Sequence, residues 1–566
     1  MSFIARDKRG DRTYLYEVES YREGNKVKRR KLGYVGVEIK TETGVEVIPA
    51  HKDVIDRLEL HDDVSMGDVT ALYSLVQELG VADVIDRFSI KGGGFPAGSQ
   101  LMLMAINHAI HPVATSRLGY WVSGTTLPSL TGIEPQLLNK DNLGSAMDGI
   151  CREVESLDGE VRLVDNTLDI CKALTEIWSK AYCIPLDALY YDITSTYFEG
   201  VKCILAKYGY SRDKKVGKKQ INVALVVTRK YHFPLFFKVY EGNTLDQDTV
   251  SDVLKILKEG FNITRCTLVW DRGMATEKNI RRADRARHKL ICGLIGSECA
   301  VRDIILSVPD EDILKKKNQV RDLDNGDAIY AMARETSIYG KKRNIVVYIN
   351  TQIQRDSRQK RETKLRRARA KLGIYRCKLE NGHYTKMDKV VSHVKECVKG
   401  VSKYFEPEYK IEDGRISIDW AWKKDKLEEA VRLDGKFAIM SSDLQLKSQD
   451  IIDAYFEKDG IERAFRYMKQ ITDLHPTRCR LENRVKVHVL ICFLAYLLLK
   501  AMEYKLHKNG IKMTAERALE ELGRIRHGML MDPTTQYRAF KVSRLSETQR
   551  RLVECLGISG YINSER

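Results

Sequence analysis

Four side chains between residues 455 and 469 have types and spacing that suit a site holding a metal and a phosphate. They are Tyr455, Lys458, Glu462 and Lys469 in the stretch YFEKDGIERAFRYMK. The apolar residues of this stretch recur with a helical period, which predicts an amphipathic helix. On one continuous helix the four positions would project from roughly one side. An ordinary helix with surface salt bridges has the same pattern, so both interpretations are open at this point.

Two aspartates upstream lie in strand-like stretches. Asp192 interrupts the largely apolar ALYYDITSTYF, and Asp271 ends the apolar run CTLVWD. A carboxylate within an apolar strand is costly to bury unless it is paired or binds a metal. The alternatives are a carboxylate that accepts hydrogen bonds from Thr194 or Ser195, and a turn-forming aspartate at the end of the second stretch.

The two aspartates and Glu462 together predict a pocket of three carboxylates. Hard divalent cations prefer such oxygen ligands. Two cations about 4 Å apart can activate the attacking oxygen and stabilise the leaving oxygen in phosphodiester cleavage. The chemistry that these residues suggest is therefore metal-dependent phosphoryl transfer.

The sequence pattern predicts that the elements positioning these acids follow one another in the order β-β-β-α-β-α-β. Strands are predicted at 188–198, 221–228, 234–240, 266–271 and 289–295, with helices at 248–259 and 275–287. Three hairpin-type strands followed by βαβ crossovers predict an α/β fold, a mixed sheet with helices on its faces.

The flanking regions have different patterns. Residues 12–50 alternate like a β-hairpin around the basic turn GNKVKRRK, and residues 65–181 are mostly of helical period. The helical region either binds DNA or is structural. The apolar run Val487–Leu499 has 13 residues between two lysines. It is too short to cross a bilayer and is predicted to be a buried helix.

The composition predicts a globular protein with a polyanionic partner. Of the 566 residues, 95 are Lys or Arg and 78 are Asp or Glu, which gives a net charge of +17. Such an excess favours nucleic acid over a membrane, although a basic surface without a partner is the alternative. The twelve cysteines form no CxxC pair and no zinc-ligand spacing, so we expect reduced thiols in a cytosolic protein.

A basic run lies between Asp271 and Glu462. Residues 355–371 contain nine Lys or Arg and two acids, and on a helix they would either contact phosphates or form a solvated surface. Trp420 and Trp422 alternate in ISIDWAW and would share one strand face. One of them would stack on an unpaired base, or both would pack in a core.

The ordered set of motifs resembles the DDE-type transposases of bacterial and archaeal insertion sequences, in the branch with a Y-x2-R-x3-E-x6-K signature. The spacing from Tyr455 to Lys469 matches throughout, with Lys458 in place of the arginine. Further strings resemble the family at 191–200, 209–215, 241–249, 269–274 and 475–498. A lysine keeps the charge but lacks the two-pronged phosphate contact of arginine.

The resemblance implies an RNase H-like mixed sheet with helices on both faces, a β-rich insertion before the last catalytic helix and a helical N-terminal module. Asp192 would lie on the first strand, Asp271 at the fourth and Glu462 on the helix after the fifth. It also implies that Tyr455, Lys458 and Lys469 contact DNA phosphates. The predicted domains are a β-rich region 1–60, a helical domain 61–185 that either binds DNA or is structural, the catalytic core 186–299 and 434–530, an insertion 300–433 and a tail 531–566.

The predicted function is that of a DNA transposase, located in a bacterial or archaeal cytoplasm. Asp192, Asp271 and Glu462 would hold two Mg²⁺ (or Mn²⁺) ions, and the enzyme would cut element ends and join them to target DNA. The expected partners are double-stranded DNA and a second copy of the chain, with no membrane. The alternatives are a host nuclease that cleaves without joining and a DNA-binding protein that has lost catalysis.

Overall fold

The structure, a computed structural model, describes the chain between residues 2 and 563 with short gaps. The residues outside this description are 1, 11, 42–43, 51–54, 56–57, 91–94, 156–160, 200–202, 213–216, 382–385, 413–414, 473, 475–478, 480, 534–537 and 564–566. Parts of the strings at 209–215 and 475–498 therefore lie outside the described residues.

Strands and helices of the described residues follow in chain order. The strands are β1 Ser2–Arg9, β2 Arg12–Glu23, β3 Lys26–Thr41, β4 Gly44–Pro49, β5 Glu59–Ser65, β6 Cys151–Glu155, β7 Val161–Asp165, β8 Ala188–Tyr197, β9 Gln220–Thr228, β10 Pro234–Glu241, β11 Thr267–Trp270, β12 Lys289–Gly293, β13 Gln319–Asp322, β14 Ala328–Ile338, β15 Lys341–Asn350, β16 Phe405–Glu412, β17 Arg415–Trp422, β18 Lys436–Ser441, β19 Arg526–Met531 and β20 Arg538–Val542. The α-helices are α1 Gly67–Glu78, α2 Val81–Phe88, α3 Ala97–Ile110, α4 Leu118–Ser123, α5 Leu127–Thr131, α6 Lys140–Ile150, α7 Thr167–Ala181, α8 Asp246–Lys255, α9 Glu277–Arg285, α10 Cys299–Leu306, α11 Asp310–Ile313, α12 Thr351–Glu380, α13 Met387–Cys397, α14 Lys424–Leu433, α15 Ser448–Phe456, α16 Asp459–Arg466, α17 Glu482–Lys508, α18 Ala515–Leu522, α19 Glu547–Leu556 and α20 Ser559–Asn563.

The chain divides into two compact units. The first contains Met1–Ile150 and Leu494–Arg566, and the second contains Cys151–Phe493. In the first unit, β2 and β3 form the predicted hairpin, but only Gly24 and Asn25 make the turn and the basic residues after them belong to β3. β1–β4 form a four-stranded antiparallel sheet, and β5 pairs with β19. The finer division into six domain ranges stays a prediction.

A nine-stranded mixed sheet is the centre of the second unit. Its order is β10-β9-β8-β11-β12-β18-β15-β14-β13. β8 and β9 are antiparallel, whereas β8, β11 and β12 run parallel. The predicted strands and helices between residues 188 and 295 are confirmed, with ends within a few residues of those expected. They were predictable because the central strands are apolar runs: every residue of β9 is buried.

The predicted β-rich insertion at 300–433 is only partly correct. It contains β13–β17, but also the 30-residue helix α12 and the helices α13 and α14. β13, β14 and β15 also extend the central sheet, because β15 pairs with β18. Strand partners so distant in sequence are set by tertiary packing, which local patterns do not report.

The segment between β15 and β18 has a hydrophobic cluster of its own. The buried face of α12, with Leu365, Leu372 and Leu379, packs with residues of α13 and of the β16–β17 hairpin. Trp420 and Trp422 pack against this cluster, and Phe405 lies beside both rings. The core-packing interpretation of the two tryptophans is thus the one that the structure supports.

The apolar run near residue 490 belongs to a longer helix than expected. α17 spans Glu482–Lys508, which by length and composition could cross a membrane. However, 83% of its most apolar 18-residue window is buried inside the protein. The predicted buried helix is therefore confirmed, since the core helix of a globular protein can be as long and as apolar as a membrane span.

Candidate active site

The predicted helix over residues 455–469 is broken, which corrects the sequence analysis. α15 ends at Phe456 and α16 begins at Asp459, and a π-helical turn follows at Tyr467–Ile471. The Gly460 N–H donates to the Glu457 carbonyl at 2.9 Å, a three-residue bond that tightens the chain between the two helices.

A tertiary contact lies just after the break, at Gly460. A Cβ atom at this position would lie 1.8 Å from His232 Nε2, so only glycine allows the ring this close. The His232 ring in turn stacks on Tyr190 of β8, with centroids 5.8 Å apart. The start of α16 is therefore held directly against the strand that carries Asp192.

The two aspartates lie side by side on parallel strands. Trp270 at the end of β11 pairs with Tyr191 of β8, so the next residues along each strand, Asp271 and Asp192, are neighbours. Adjacent strands are about 4.8 Å apart. Asp271 follows the last residue of its strand, at the carboxyl edge where α/β sheets carry functional groups.

Two groups from the broken helix region hold Asp271. The Tyr455 hydroxyl donates to Asp271 Oδ1 at 3.2 Å, and Lys458 Nζ donates to the same oxygen at 2.9 Å. The tyrosine ring is buried, and it has room because a Cβ at Gly293 would lie 2.4 Å from its hydroxyl. Tyr455 therefore orients a carboxylate.

Lys458 also links the second acid to the third. Its Nζ lies 3.9 Å from Glu462 Oε1, so one ammonium group stands between the carboxylates of Asp271 and Glu462. The Lys458 side chain is only 18% exposed, whereas that of Glu462 is 59% exposed and faces the opening.

The pKa values of the two aspartates move in opposite directions. The pKa of Asp192 is raised to about 7, chiefly by burial and to a smaller extent by the nearby charge of Asp271, against the opposing effects of the Ile193 backbone N–H and of Lys458. Burial also acts to raise the pKa of Asp271, but the Lys458 ammonium and the Tyr455 hydroxyl outweigh it and hold that pKa below its usual value. Two neighbouring carboxyl groups thus differ in charge near neutral pH.

One open pocket, with a cavity volume of about 410 Å³, brings five of the six predicted site residues together. Its lining includes Asp192, Asp271, Lys458, Glu462 and Lys469. Tyr455 is the sixth, and it reaches the pocket through Asp271.

Sequence reasoning missed three further charged residues of this pocket as site residues: Arg212, Asp246 and Arg466. The Arg212 guanidinium pairs with both carboxylate oxygens of Asp246, at 2.6 and 2.5 Å. The Ser195 hydroxyl accepts a hydrogen bond from the Arg212 backbone N–H, which fixes the loop to β8. Arg212 lies in the string 209–215 and Asp246 in the string 241–249. The sequence analysis singled out both strings but assigned no role to either residue.

The carboxylates suit a hard divalent cation by their chemistry. Asp192, Asp271 and Glu462 supply oxygen donors to one pocket, and two of them already face a cation, the Lys458 ammonium. Across the part of the chain that the structure describes, no group of three His, Cys, Asp or Glu side chains is arranged to hold a metal ion. The Lys458 ammonium contacts both Asp271 and Glu462, so a metal ion shared by these two carboxylates would compete with it.

Comparison with known proteins identifies the class of protein. The family model "Transposase DDE domain" matches residues 191–498, which is more than half of the chain. The chain therefore belongs to the DDE transposase family, and it is a DNA transposase.

Two further comparisons add little to this assignment. No curated protein matches the chain. Among solved structures, a cryo-EM structure of the piggyBac transposase synaptic complex with hairpin DNA is similar, with a TM-score of 0.39 and 8% identity over 87% of this chain and 84% of that one.

Proposed function

We propose that Asp192, Asp271 and Glu462 are the catalytic carboxylates of this transposase and that the second unit carries an RNase H-like catalytic core. The strand order β10-β9-β8-β11-β12, with three antiparallel and then two parallel strands, supports that core. The observation that carries the proposal is the single pocket with three acids from β8, the end of β11 and α16.

Divalent cations, Mg²⁺ or Mn²⁺ and two by family resemblance, would be held by these three carboxylates. When bound, they would supply activation of the attacking oxygen and charge stabilisation of the leaving oxygen. The protein's own groups prepare the acids: Lys458 and Tyr455 keep Asp271 ionised and oriented, and Asp192 lies beside it on the neighbouring strand.

DNA phosphates would enter over a cationic rim. Arg212, Lys458, Arg466 and Lys469 line the pocket together with the acids. Such groups neutralise the backbone near the scissile bond and hold it in line with the carboxylates. Tyr455 acts one step behind this rim, through Asp271. A homodimer on double-stranded DNA, in the cytoplasm, is the assembly that the family resemblance implies.

The test uses three single substitutions and one matched control. Asp192→Asn, Asp271→Asn and Glu462→Gln should each reduce DNA strand cleavage at element ends by at least 100-fold, with duplex DNA binding retained, because each removes a catalytic carboxylate. Asp450→Asn, which removes an exposed carboxylate on α15 outside the pocket, should cleave normally. Near-normal nicking by any of the three variants would remove that residue from the site.

A second assay separates a transposase from a nuclease of the same fold. Precut ends with free 3′-hydroxyl groups are supplied with a target plasmid. Wild-type protein should join them, and the three acid variants should not. Cleavage without joining under the same conditions would contradict the strand-transfer half of the proposal.

A further inference from the structure

The basic helix α12 carries two distinct sets of cations. The first set anchors the helix to carboxylates elsewhere in the second unit. These pairs are Arg355 with Asp327, Arg358 with Asp310, Arg361 with Asp434 and Arg376 with Asp419. Asp327 and Asp434 are buried, which indicates a structural role for these pairs. The four arginines that form them are therefore not free to bind a ligand.

The second set forms a stripe on the outside of the helix. It consists of Lys360, Lys364, Arg367, Lys371 and Lys378, all of them exposed. Successive members are four, three, four and seven residues apart, so at 100° per residue they fall within about 60° of one another around the helix. Within the described ranges, no carboxylate forms an ion pair with any of the five.

This stripe, here called the α12 stripe, is fixed on a rigid support. Leu365, Leu372 and Leu379 lie on the adjacent face and are buried in the hydrophobic cluster with α13 and the β16–β17 hairpin. The stripe extends over 18 residues, or about 27 Å at 1.5 Å per residue. Its side chains are thus held in line over the length of several base pairs.

The charge around the stripe favours a polyanion. Residues 351–422 contain 18 Lys or Arg and 10 Asp or Glu. Within the stripe the side chains are cationic, with Ile374 exposed between Lys371 and Lys378. Long flexible cations contact phosphates readily, and phosphate contacts carry no sequence information.

We propose that the α12 stripe binds the phosphate backbone of double-stranded DNA without sequence preference. The proposal rests on the proposed function, since it assumes that duplex DNA is the partner. It adds a second contact region, outside the pocket of the carboxylates, that would hold DNA flanking the site of cleavage. The anchoring arginines would keep the stripe in place while DNA binds.

The experiment measures duplex DNA binding by the full chain, without divalent ions, from 50 to 300 mM salt. Each lost phosphate contact lowers the slope of log K against log salt by about 0.9 on B-form DNA. Lys364→Gln/Arg367→Gln/Lys371→Gln should therefore reduce the slope by about 2 to 3 and the affinity at 100 mM salt by at least 10-fold. The single variant Lys378→Gln should reduce the slope by about 1.

The matched control removes three other exposed lysines from the same unit. Lys316→Gln/Lys317→Gln/Lys342→Gln has the same change in net charge, and it should alter the slope by less than 1. An equal loss in the control would overturn the stripe, because net charge alone would then explain binding. All substitutions are at exposed positions, so equal melting temperatures confirm intact folding.

The remaining outcomes also decide the proposal. An unchanged slope in the triple variant, with wild-type cleavage of element ends intact, would refute the stripe and leave the catalytic assignment standing. The same measurement is made with duplex RNA. A loss of affinity in the triple variant that occurs with duplex RNA and not with duplex DNA would overturn DNA as the partner of the stripe. Absence of DNA binding by the wild type would overturn both proposals.

Discussion

Asp192 is the residue whose environment departs most from that of a free carboxyl group. Its pKa of about 7 in the folded protein lies above the ordinary value of 3.8. The folded state therefore binds the proton more tightly than the unfolded state, and stability falls as pH rises from about 4 to 7. A neutral side chain at this position should therefore abolish the loss of folding stability that occurs as the pH rises.

We predict that Asp192→Asn raises the melting temperature of the metal-free protein at pH 8 by a few degrees and leaves it unchanged at pH 4. The gain is about 2 kcal/mol, less than a three-unit shift implies, because the carboxylate faces an open pocket. Thermal unfolding in EDTA at the two pH values measures it. Equal melting temperatures of the variant and the wild type at pH 8 would mean that burial of the ionised Asp192 does not destabilise the protein.

Lys458 is the second residue with a testable role, because its ammonium stands between Asp271 and Glu462. Lys458→Met should lower the melting temperature in EDTA, since Asp271 loses its cation. Addition of Mn²⁺ should then raise the melting temperature further than in wild-type protein, because no ammonium competes with the metal. Lys458→Arg keeps the charge and is the control. An equal Mn²⁺ response in the methionine variant and the wild type would contradict this competition.

At the scale of elements, the break between α15 and α16 sets where Glu462 lies. Gly460→Ala would improve the helix propensity by about 1 kcal/mol but would drive a methyl group into the His232 ring. We expect the collision to prevail, displace α16 and reduce strand cleavage at least 10-fold. Gly373→Ala in α12, where a Cβ meets no atom within 4 Å, is the matched control and should keep full activity.

A double variant tests the contact between Gly460 and His232 by removing the ring instead of crowding it. His232→Ala removes the ring, so Gly460→Ala in that background should cost little further activity. Additive losses would show that the two residues act separately and that the ring does not position the helix.

The same elements show what the sequence alone could predict. The strands β8–β12 follow from apolar runs and turns, so the two aspartates were located correctly on the sheet. The break between α15 and α16 was missed, and so was the contact of Gly460 with His232, because that contact joins residues 228 positions apart in the chain and local propensity does not report it. For Arg212 and Asp246, sequence reasoning reached the correct strings, but only the fold brings the two side chains into contact.

At the scale of the whole molecule, the segment 351–434 is inserted between two adjacent strands. β15 and β18 pair with each other, and the Asn350 N–H donates to the Gly435 carbonyl at 2.9 Å. The two ends of the segment therefore meet as they would in a hairpin. The segment also has its own hydrophobic cluster, formed by α12, α13 and the β16–β17 hairpin.

We predict that replacing residues 351–434 by a two-residue Asn-Gly turn leaves the central sheet folded. Asp327 loses its arginine partner, so Asp327→Asn is included to avoid an unpaired carboxylate, whereas Asp310 keeps its ion pair with Lys436 and is left unchanged. Circular dichroism and a cooperative thermal transition within about 10 °C of the wild type would confirm this. An unfolded or aggregated variant would mean that β15 and β18 need the helices between them, and the segment would then be part of the catalytic sheet's own folding unit.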